Sequence, residues 1–345
     1  ISSDYGEGNH YWNSLDAWGE CQGYLYVRMK IRHGKEEHSV SSRVHSAAGG
    51  NTMAKVAIVT DSGSGITLAE AKEMEIGLVS IPFMFGDNEK TYFEDINLTR
   101  DEFFDRLKSG ETVHTSQPSP VDVLKVWDQV LENNDSLVYI PMSSGLSGSC
   151  QSAMMLSGDY DGKVEVVNNQ RISVTQKRSV LDAMEMAQKG WTAKEIKEKL
   201  EEVRFEQSIY IMVDTLTYLK RGGRITPAAA AIGTLLRIKP VLKIFGERLD
   251  AFAKARTSQQ ARTLMINALK NDCEKLYGGL DNVYVYVVES KSPDFEDWTR
   301  QVREAFPGME IGEAQLPSVI NCHIGEGALA IACTKKLEIE DRTNR

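Results

Sequence analysis

From Met53 onward, short apolar runs alternate with stretches that carry one apolar face, and this alternation constrains the fold more than any other feature of the chain. Strands are predicted at 56–60, 78–85, 136–141 and 164–167. Helices are predicted at 68–75, 99–108, 120–133, 175–189 and 193–204. Thr99 and Glu102 form a capping-box pair, and Pro120 stands where a helix begins. This order is typical of a parallel sheet covered by helices, so we predict an α/β domain over residues 53–207.

The pattern changes after a further strand at 209–213. Two short helices are predicted at 216–220 and 227–236, separated by Arg221-Gly222-Gly223-Arg224. The remaining elements are a hairpin with strands at 241–245 and 248–252, helices at 258–276 and 292–305, and strands near 283–288, 310–315 and 328–332. We predict a second domain over residues 208–340, of the α+β class with an open-faced sheet.

Residues 1–52 differ from the remainder of the chain. They hold four of the six histidines and two of the five tryptophans, show almost no apolar periodicity and end in the small-residue stretch 46–52. Met53 follows, directly before the first predicted strand. We predict that 1–52 is a non-native or flexible N-terminal extension outside the fold. The alternative is a genuine extension that binds a partner through its aromatic side chains.

Charge balance and cysteine spacing narrow the function classes. The 40 Lys and Arg against 49 Asp and Glu give a net charge of −9, which disfavours binding to nucleic acid or to an anionic membrane surface. The five cysteines are scattered without a C-x-x-C pair, which argues against a disulfide framework and structural zinc. No run of 18 apolar residues is present, so stable membrane insertion is not expected. We predict a cytoplasmic protein with no metal site.

Three hydroxyl-rich loops are predicted where strands end, at 61–65, 114–120 and 143–149. In open α/β sheets, ligands bind beyond the carboxyl ends of the strands. The loops offer hydroxyl and backbone N–H groups beside two helix N-termini but few charges, which suits a carboxylate or a phosphate. A structural interpretation stays open for each loop, since Asp61 could end a strand and cap a helix, and Ser119 with Pro120 forms an ordinary helix start.

Two further residues allow alternatives. Ser147 lies in a segment similar to a nucleophile elbow, but the closing glycine of G-x-S-x-G is missing and no histidine follows before His323. A serine hydrolase acting through Ser147 is therefore a secondary hypothesis. His323 is either a satisfied core residue or a ligand-binding residue, and Cys322 is expected on the opposite face of an extended segment.

The order and spacing of six segments resemble the motifs of the DegV family over about residues 54–339. The segments are Asp61-Ser62, Thr115-Ser116-Gln117-Pro118-Ser119, the serine-rich stretch 143–153, Thr215-Leu216-x-Tyr218-Leu219-x-Arg221-Gly222-Gly223-Arg224-Ile225, Ile238-Lys239-Pro240 and His323-x-Gly325-x-Gly327. The resemblance implies a two-domain α/β protein with no cofactor and no catalysis of its own. One long-chain fatty acid would lie between or beside the domains.

The resemblance also implies a partner, because the best-understood members of the family are the acyl-binding subunits of bacterial fatty acid kinase. A separate ATP-dependent fatty acid kinase subunit would phosphorylate the carboxyl group that this chain presents. The implied carboxylate-binding residues are Thr115, Ser144, Ser116, Ser143 and His323, and the implied kinase-facing residues are Arg221 and Arg224. A lipid-sensing regulatory module is the remaining alternative.

Burial of the acyl chain is expected to set the affinity. A sixteen-carbon tail at about 0.8 kcal/mol per methylene gives a gross term on the order of 10 kcal/mol. One charge-assisted hydrogen bond contributes about 1.5–3 kcal/mol. Candidate tail-lining residues are Ile81, Phe83, Met84, Phe85, Met154 and Met155, and most of them are expected to be ordinary core residues instead. Glu326 departs from the family pattern, where proline is usual, and adds a negative charge near the expected carboxylate.

Overall fold

The computed structural model describes residues 54–87, 90–232, 238–245 and 248–343. The strands are β1 Val56–Asp61, β2 Gly77–Val79, β3 Phe83–Phe85, β4 Thr91–Tyr92, β5 Val113–Thr115, β6 Ser136–Ile140, β7 Val164–Val166, β8 Gln207–Met212, β9 Lys239–Ile244, β10 Leu249–Ala255, β11 Val283–Glu289, β12 Ile311–Gln315 and β13 Leu329–Lys335. The helices are α1 Leu68–Glu73, α2 Arg100–Lys108, α3 Pro120–Leu131, α4 Ser149–Ser157, α5 Ser173–Gln188, α6 Ala193–Glu202, α7 Thr217–Gly222, α8 Pro227–Ile232, α9 Ser258–Leu276, α10 Phe295–Ala305 and α11 Ser318–Ile324. The prediction for 1–52 lies outside the described residues.

The first sheet is parallel, with the strand order β2-β1-β6-β7. Side chains alternate along each strand, so both faces are buried: Ile58 packs with residues of α5 and α6, and Val59 packs with Trp127 of α3. Thr99 caps α2 through a capping box with Glu102, as the sequence indicates. The predicted parallel-sheet α/β domain is confirmed.

The second sheet has the order β10-β9-β8-β13-β11-β12, and its neighbouring strands are antiparallel except for β11 and β12. One face buries Met265 of α9 and Trp298 of α10, and the other face turns toward the first half of the chain. The predicted α+β domain is therefore confirmed. Every strand of this sheet begins at Gln207 or later, but the exact boundaries at 207 and 340 stay predictions.

A small sheet of order β4-β3-β5 accounts for one difference from the sequence analysis. The apolar run predicted at 78–85 is divided, because β2 joins the first sheet and β3 joins the small one. Pro82 lies between the two strands and has no N–H to donate to a ladder. The division places β5, and with it Thr115, beside β3.

The helix α11 is a second difference. The extended segment expected around Cys322 and His323 is wrong, since both residues lie in this helix. Six of its seven residues are buried, so it has no exposed polar face and shows no amphipathic period in the sequence. The two side chains are therefore about 100° apart around a helix rather than on opposite faces of a strand.

Candidate functional site

A cavity of about 250 Å³ lies between the inner face of the second sheet and the loops that follow β5 and β6. Its floor includes Ile209 and Ile211 of β8, Val288 of β11, and Ala330 and Ala332 of β13. Its other apolar walls include Ile81, Met142, Leu146, Ile172, Val174, Val319 and Ile320. A space with such walls accepts an apolar ligand.

Most polar lining residues belong to one part of the cavity that we call the polar end, which consists of Thr115, Ser116, Gln117, Ser147, Gly148, Arg224 and His323. Ser173, the first residue of α5, is a further polar residue of the lining. Thr115 closes β5, and His323 lies in the last turn of α11. Their side chains meet, with Thr115 Oγ1 and His323 Nε2 3.0 Å apart. The polar end therefore forms where the two halves of the chain come together.

The imidazole of His323 is held tightly and is neutral. Gly222, the last residue of α7, packs against it so closely that a Cβ at this position would lie 2.2 Å from Nδ1. Nδ1 is buried, and no described residue forms a hydrogen bond with it. Burial, together with the positive charge of Arg224, lowers the pKa of His323 to about 4. At pH 7 the ring therefore carries a single N–H.

The electrostatics of the polar end favour an anion. Among the cavity-lining residues that the structure describes, Arg224 is the one that carries a charge. Its Nε donates to the Leu146 carbonyl over 3.1 Å and its Nη1 donates to the Gly222 carbonyl, which fixes the guanidinium. Gly148 is the N-cap of α4, whose dipole also favours negative charge at this point.

The predicted carboxylate-binding residues occupy two different places. Thr115, Ser116 and His323 line the cavity. Ser143 is buried in the turn after β6, where its Oγ accepts a hydrogen bond from the Gly145 N–H over 3.3 Å. Ser144 is half-buried in the same turn, and neither serine belongs to the lining.

The two predicted kinase-facing arginines also lie in different environments. Arg224 lines the cavity, whereas Arg221 is exposed on α7. Glu326, which the sequence analysis placed near the carboxylate, forms an ion pair with Lys108 over 3.1 Å. Its negative charge is therefore balanced outside the cavity lining.

Ser147 lines the cavity without a base beside it. Its Oγ accepts a hydrogen bond from the Ser149 N–H over 3.2 Å, at the start of α4. His323 Nε2 forms its hydrogen bond with Thr115 Oγ1 instead. No described residue accepts a hydrogen bond from His323 Nδ1 and so orients the ring as a base. A nucleophile, a base and a group that orients the base are thus not assembled around Ser147 in the described structure.

The loop after β1 supports the cavity wall from outside. The Asp61 carboxylate accepts hydrogen bonds from the Gly63 and Met142 N–H groups over 3.0 and 2.8 Å. Ser62 Oγ accepts one from the Ile81 N–H over 3.0 Å. Met142 and Ile81 both line the cavity. The structural interpretation of this loop, as a strand end and a cap, agrees with these contacts.

One of the six candidate tail-lining residues lines the cavity. Ile81 lines the cavity, but Phe83 and Phe85 belong to a separate aromatic cluster with Phe103. Neither Met84 nor Met154 is part of the lining, and Met155 is 81% exposed. The floor comes mainly from the second sheet, for which no individual tail-lining residue was predicted. A signal was available, because Ala330 and Ala332 alternate with larger residues along β13.

The described part of the chain contains no group of three or more His, Cys, Asp or Glu side chains that could hold a metal ion. None of its helices is both long enough and apolar enough to cross a membrane.

Comparisons with known proteins agree with the fold and the cavity. The sequence model of the DegV family, described as a family of uncharacterised proteins, matches residues 55–336. A DegV domain-containing protein of Listeria innocua is 30% identical over 291 residues, which cover 82% of this chain and 99% of that protein. A DegV family protein of Thermus thermophilus, solved in a study of its fatty acid binding, is 29% identical with a TM-score of 0.73. DegV of Bacillus subtilis, described as a fatty acid binding protein, is 28% identical with a TM-score of 0.71. Both structural matches cover 82% of this chain and 100% of the other.

Proposed function

This chain belongs to the DegV family, and from that membership and the cavity we propose that it binds one long-chain fatty acid, with the carboxyl group at the polar end. DegV family proteins bind fatty acids. The observation that carries the proposal is an apolar cavity whose polar end combines Thr115, His323 and Arg224. No Asp or Glu is found among the lining residues that the structure describes.

The hydrogen bond between Thr115 and His323 prepares a donor for the carboxylate. A neutral imidazole has one N–H, and burying that donor without a partner costs about 1–3 kcal/mol. Nδ1 has no partner among the described residues, so the proton belongs on Nε2, which donates to Thr115 Oγ1. The Thr115 hydroxyl proton is then free to donate to a carboxylate oxygen. His323 acts as a positioning residue, and Arg224 supplies the long-range attraction.

The apolar walls of the cavity bind the tail, and the polar end binds the head group. Each buried methylene contributes about 0.8 kcal/mol, so the apolar walls supply most of the affinity. Ser116, Gln117 and Gly148 of the polar end are exposed, which leaves the carboxyl group reachable from solvent while the tail is buried. This arrangement suits a carrier that shows its head group to another protein.

The finer part of the proposal is a partner enzyme. We propose that an ATP-dependent fatty acid kinase phosphorylates the presented carboxyl group in the cytoplasm, and that this chain contributes no catalytic group. The exposed Arg221 on α7, close in sequence to Gly222 and Arg224, supports a partner surface beside the polar end. A regulatory role for the bound lipid is the alternative, and failure of any kinase to phosphorylate the bound acid would favour it.

The first experiment identifies the ligand. Denaturing extraction of the purified protein, followed by mass spectrometry, is expected to yield close to one long-chain fatty acid per chain. Recovery of no lipid, together with no uptake of added fatty acid, would contradict the proposal.

The second experiment tests the head-group contacts. Thr115→Val keeps the shape of the side chain but removes one hydrogen bond to the carboxylate, so fatty acid affinity should fall by about 1.5–3 kcal/mol. Phosphorylation of the bound acid should fall further, because a misplaced carboxyl group lowers reactivity disproportionately. Ser147→Ala is the matched control, since Ser147 lines the same polar end, and it should leave both properties nearly unchanged. A silent Thr115→Val beside an inactive Ser147→Ala would support the hydrolase instead.

A further inference from the structure

The strand β13 carries small side chains on its cavity face and larger ones on the other. The cavity face holds Ala330 and Ala332, with Ala328 just before the strand, and the face toward α9 holds Leu329, Ile331 and Cys333. Larger residues flank the alanines across the sheet: Ile211 and Val288 beside Ala330, and Ile209 and Tyr286 beside Ala332. The alanines therefore form a trough along β13, and Ala330 and Ala332 lie in the cavity floor.

The trough leads away from the polar end. His323 lies in the last turn of α11, which ends at Ile324, and β13 begins five residues after that end, at Leu329. The start of β13 is therefore the end that lies closest to His323. Each further pair of residues along the strand lies about 6.8 Å deeper.

The trough ends at a buried polar pair. Thr334 follows Ala332 on the same face of β13, and its partner in the ladder is Gln207 of β8. Gln207 shares a face with Ile209 and Ile211, and both polar residues are 0% exposed. Neither Nε2 nor Oε1 of Gln207 has a hydrogen-bond partner in the described part of the chain.

We propose that Gln207, together with its ladder partner Thr334, is the stop that limits the length of the acyl chain this protein accepts. The inference rests on the proposed function, because it concerns how much of a fatty acid tail the cavity holds. A buried amide needs hydrogen-bond partners, and a hydrocarbon tail has none to offer. Contact of the tail with Ala330 and Ala332 is favourable, whereas contact of the tail with the Gln207 amide is not. Affinity should therefore rise with chain length only until the tail reaches this pair.

The test compares saturated fatty acids of increasing length, titrated into the delipidated full chain. For the unaltered protein, affinity should rise about fourfold per added methylene and then level off at one length. Gln207→Leu, which replaces the amide by an apolar side chain, should shift this break to longer acids. Thr334→Val is a second, nearly isosteric variant with the same expected direction. Ala332→Leu fills the trough and should move the break to shorter acids.

Cys333→Ala is the matched control, because Cys333 lies on β13 but faces α9, and it should leave the break where it is. The same break in Gln207→Leu and Thr334→Val as in the unaltered protein would overturn the inference. An unshifted break in Ala332→Leu would overturn it as well. Binding of no fatty acid of any length by the unaltered protein would instead overturn the proposed function.

Discussion

Among single residues, Asp61 gives the clearest pH dependence of stability. Burial raises its pKa from 3.8 to about 6, although hydrogen bonds from Met142, Gln176 and Gly63 oppose the rise. Between pH 3.8 and about 6, the folded protein therefore keeps a proton on Asp61 that the unfolded chain has already lost. This proton stabilises the folded state by up to about 3 kcal/mol. The contribution is complete below pH 3.8 and is lost as the pH rises through about 6.

Asp61→Asn removes this titration. Free energies of unfolding in urea, measured for both proteins at about pH 4.5 and about pH 7.5, should show the unaltered protein losing stability relative to the variant at the higher pH. The comparison uses the difference between the two proteins because the other titrating groups are common to both. A difference that is independent of pH would contradict the assignment of a raised pKa to Asp61.

Single residues also show how far the site could be predicted from the sequence. Thr115 and His323 stand in recognisable motifs, and the structure brings them within 3.0 Å of each other. Phe83 and Phe85 are buried in a separate cluster, because apolar character indicates burial but does not determine which of several cores receives the side chain. Thr334 and Gln207 meet across β13 and β8 through strand register, which no local sequence pattern encodes.

At the scale of elements, the packing of α7 against α11 positions the imidazole. Gly222→Ala places a methyl group where His323 Nδ1 now lies, so the ring has to move away from Thr115. Loss of that hydrogen bond should weaken fatty acid binding by about tenfold to a hundredfold, which a fluorescence displacement titration measures. Helix stability should change little or improve, since alanine is a better helix former than glycine.

Gly223→Ala is the neighbouring control. Gly223 has a φ of +69°, and nothing lies within 4 Å of a Cβ there. Alanine in this left-handed conformation should cost about 1–2 kcal/mol of stability while leaving the affinity unchanged. Equal affinities for the two variants would show that the contact between Gly222 and His323 does not position the ring.

Elements with local signals were predicted well, and elements without them were not. The capping box of α2 and the proline at the start of α3 fix both helices within a few residues. The helix α9 has the predicted bounds of 258–276. The helix α11 was missed because its burial on nearly all sides removes the periodic pattern on which such predictions depend.

At the scale of the whole molecule, the geometry of the polar end depends on the contacts between the two halves of the chain. Arg100 forms an ion pair with Glu289 over 3.2 Å, and the Ser318 N–H donates to Glu94 over 2.7 Å. After β13 the chain returns to the first half, where Arg342 lies 3.5 Å from the ring centre of Trp191. The first two contacts tie β11 and α11 to α2 and the segment before it, which pack with the small sheet that carries Thr115. The third ties the end of the described chain to the first half. The sequence predicted two domains and a ligand between or beside them, but the contacts that hold them together join residues far apart in the chain.

The last prediction concerns which part of the chain is sufficient for binding. The chain from Met53 to Arg345 forms one compact unit, and the described cavity lining runs from Ile81 to Ala332. A protein that begins at Met53 should therefore bind fatty acid with the affinity of the full chain. Its melting temperature should change by less than about 4 °C, the shift expected for about 1 kcal/mol in a large domain. Calorimetry and fatty acid titration of the two proteins side by side provide the measurement. A weaker affinity or a larger drop in melting temperature would show that residues 1–52 contribute to the fold or to the site.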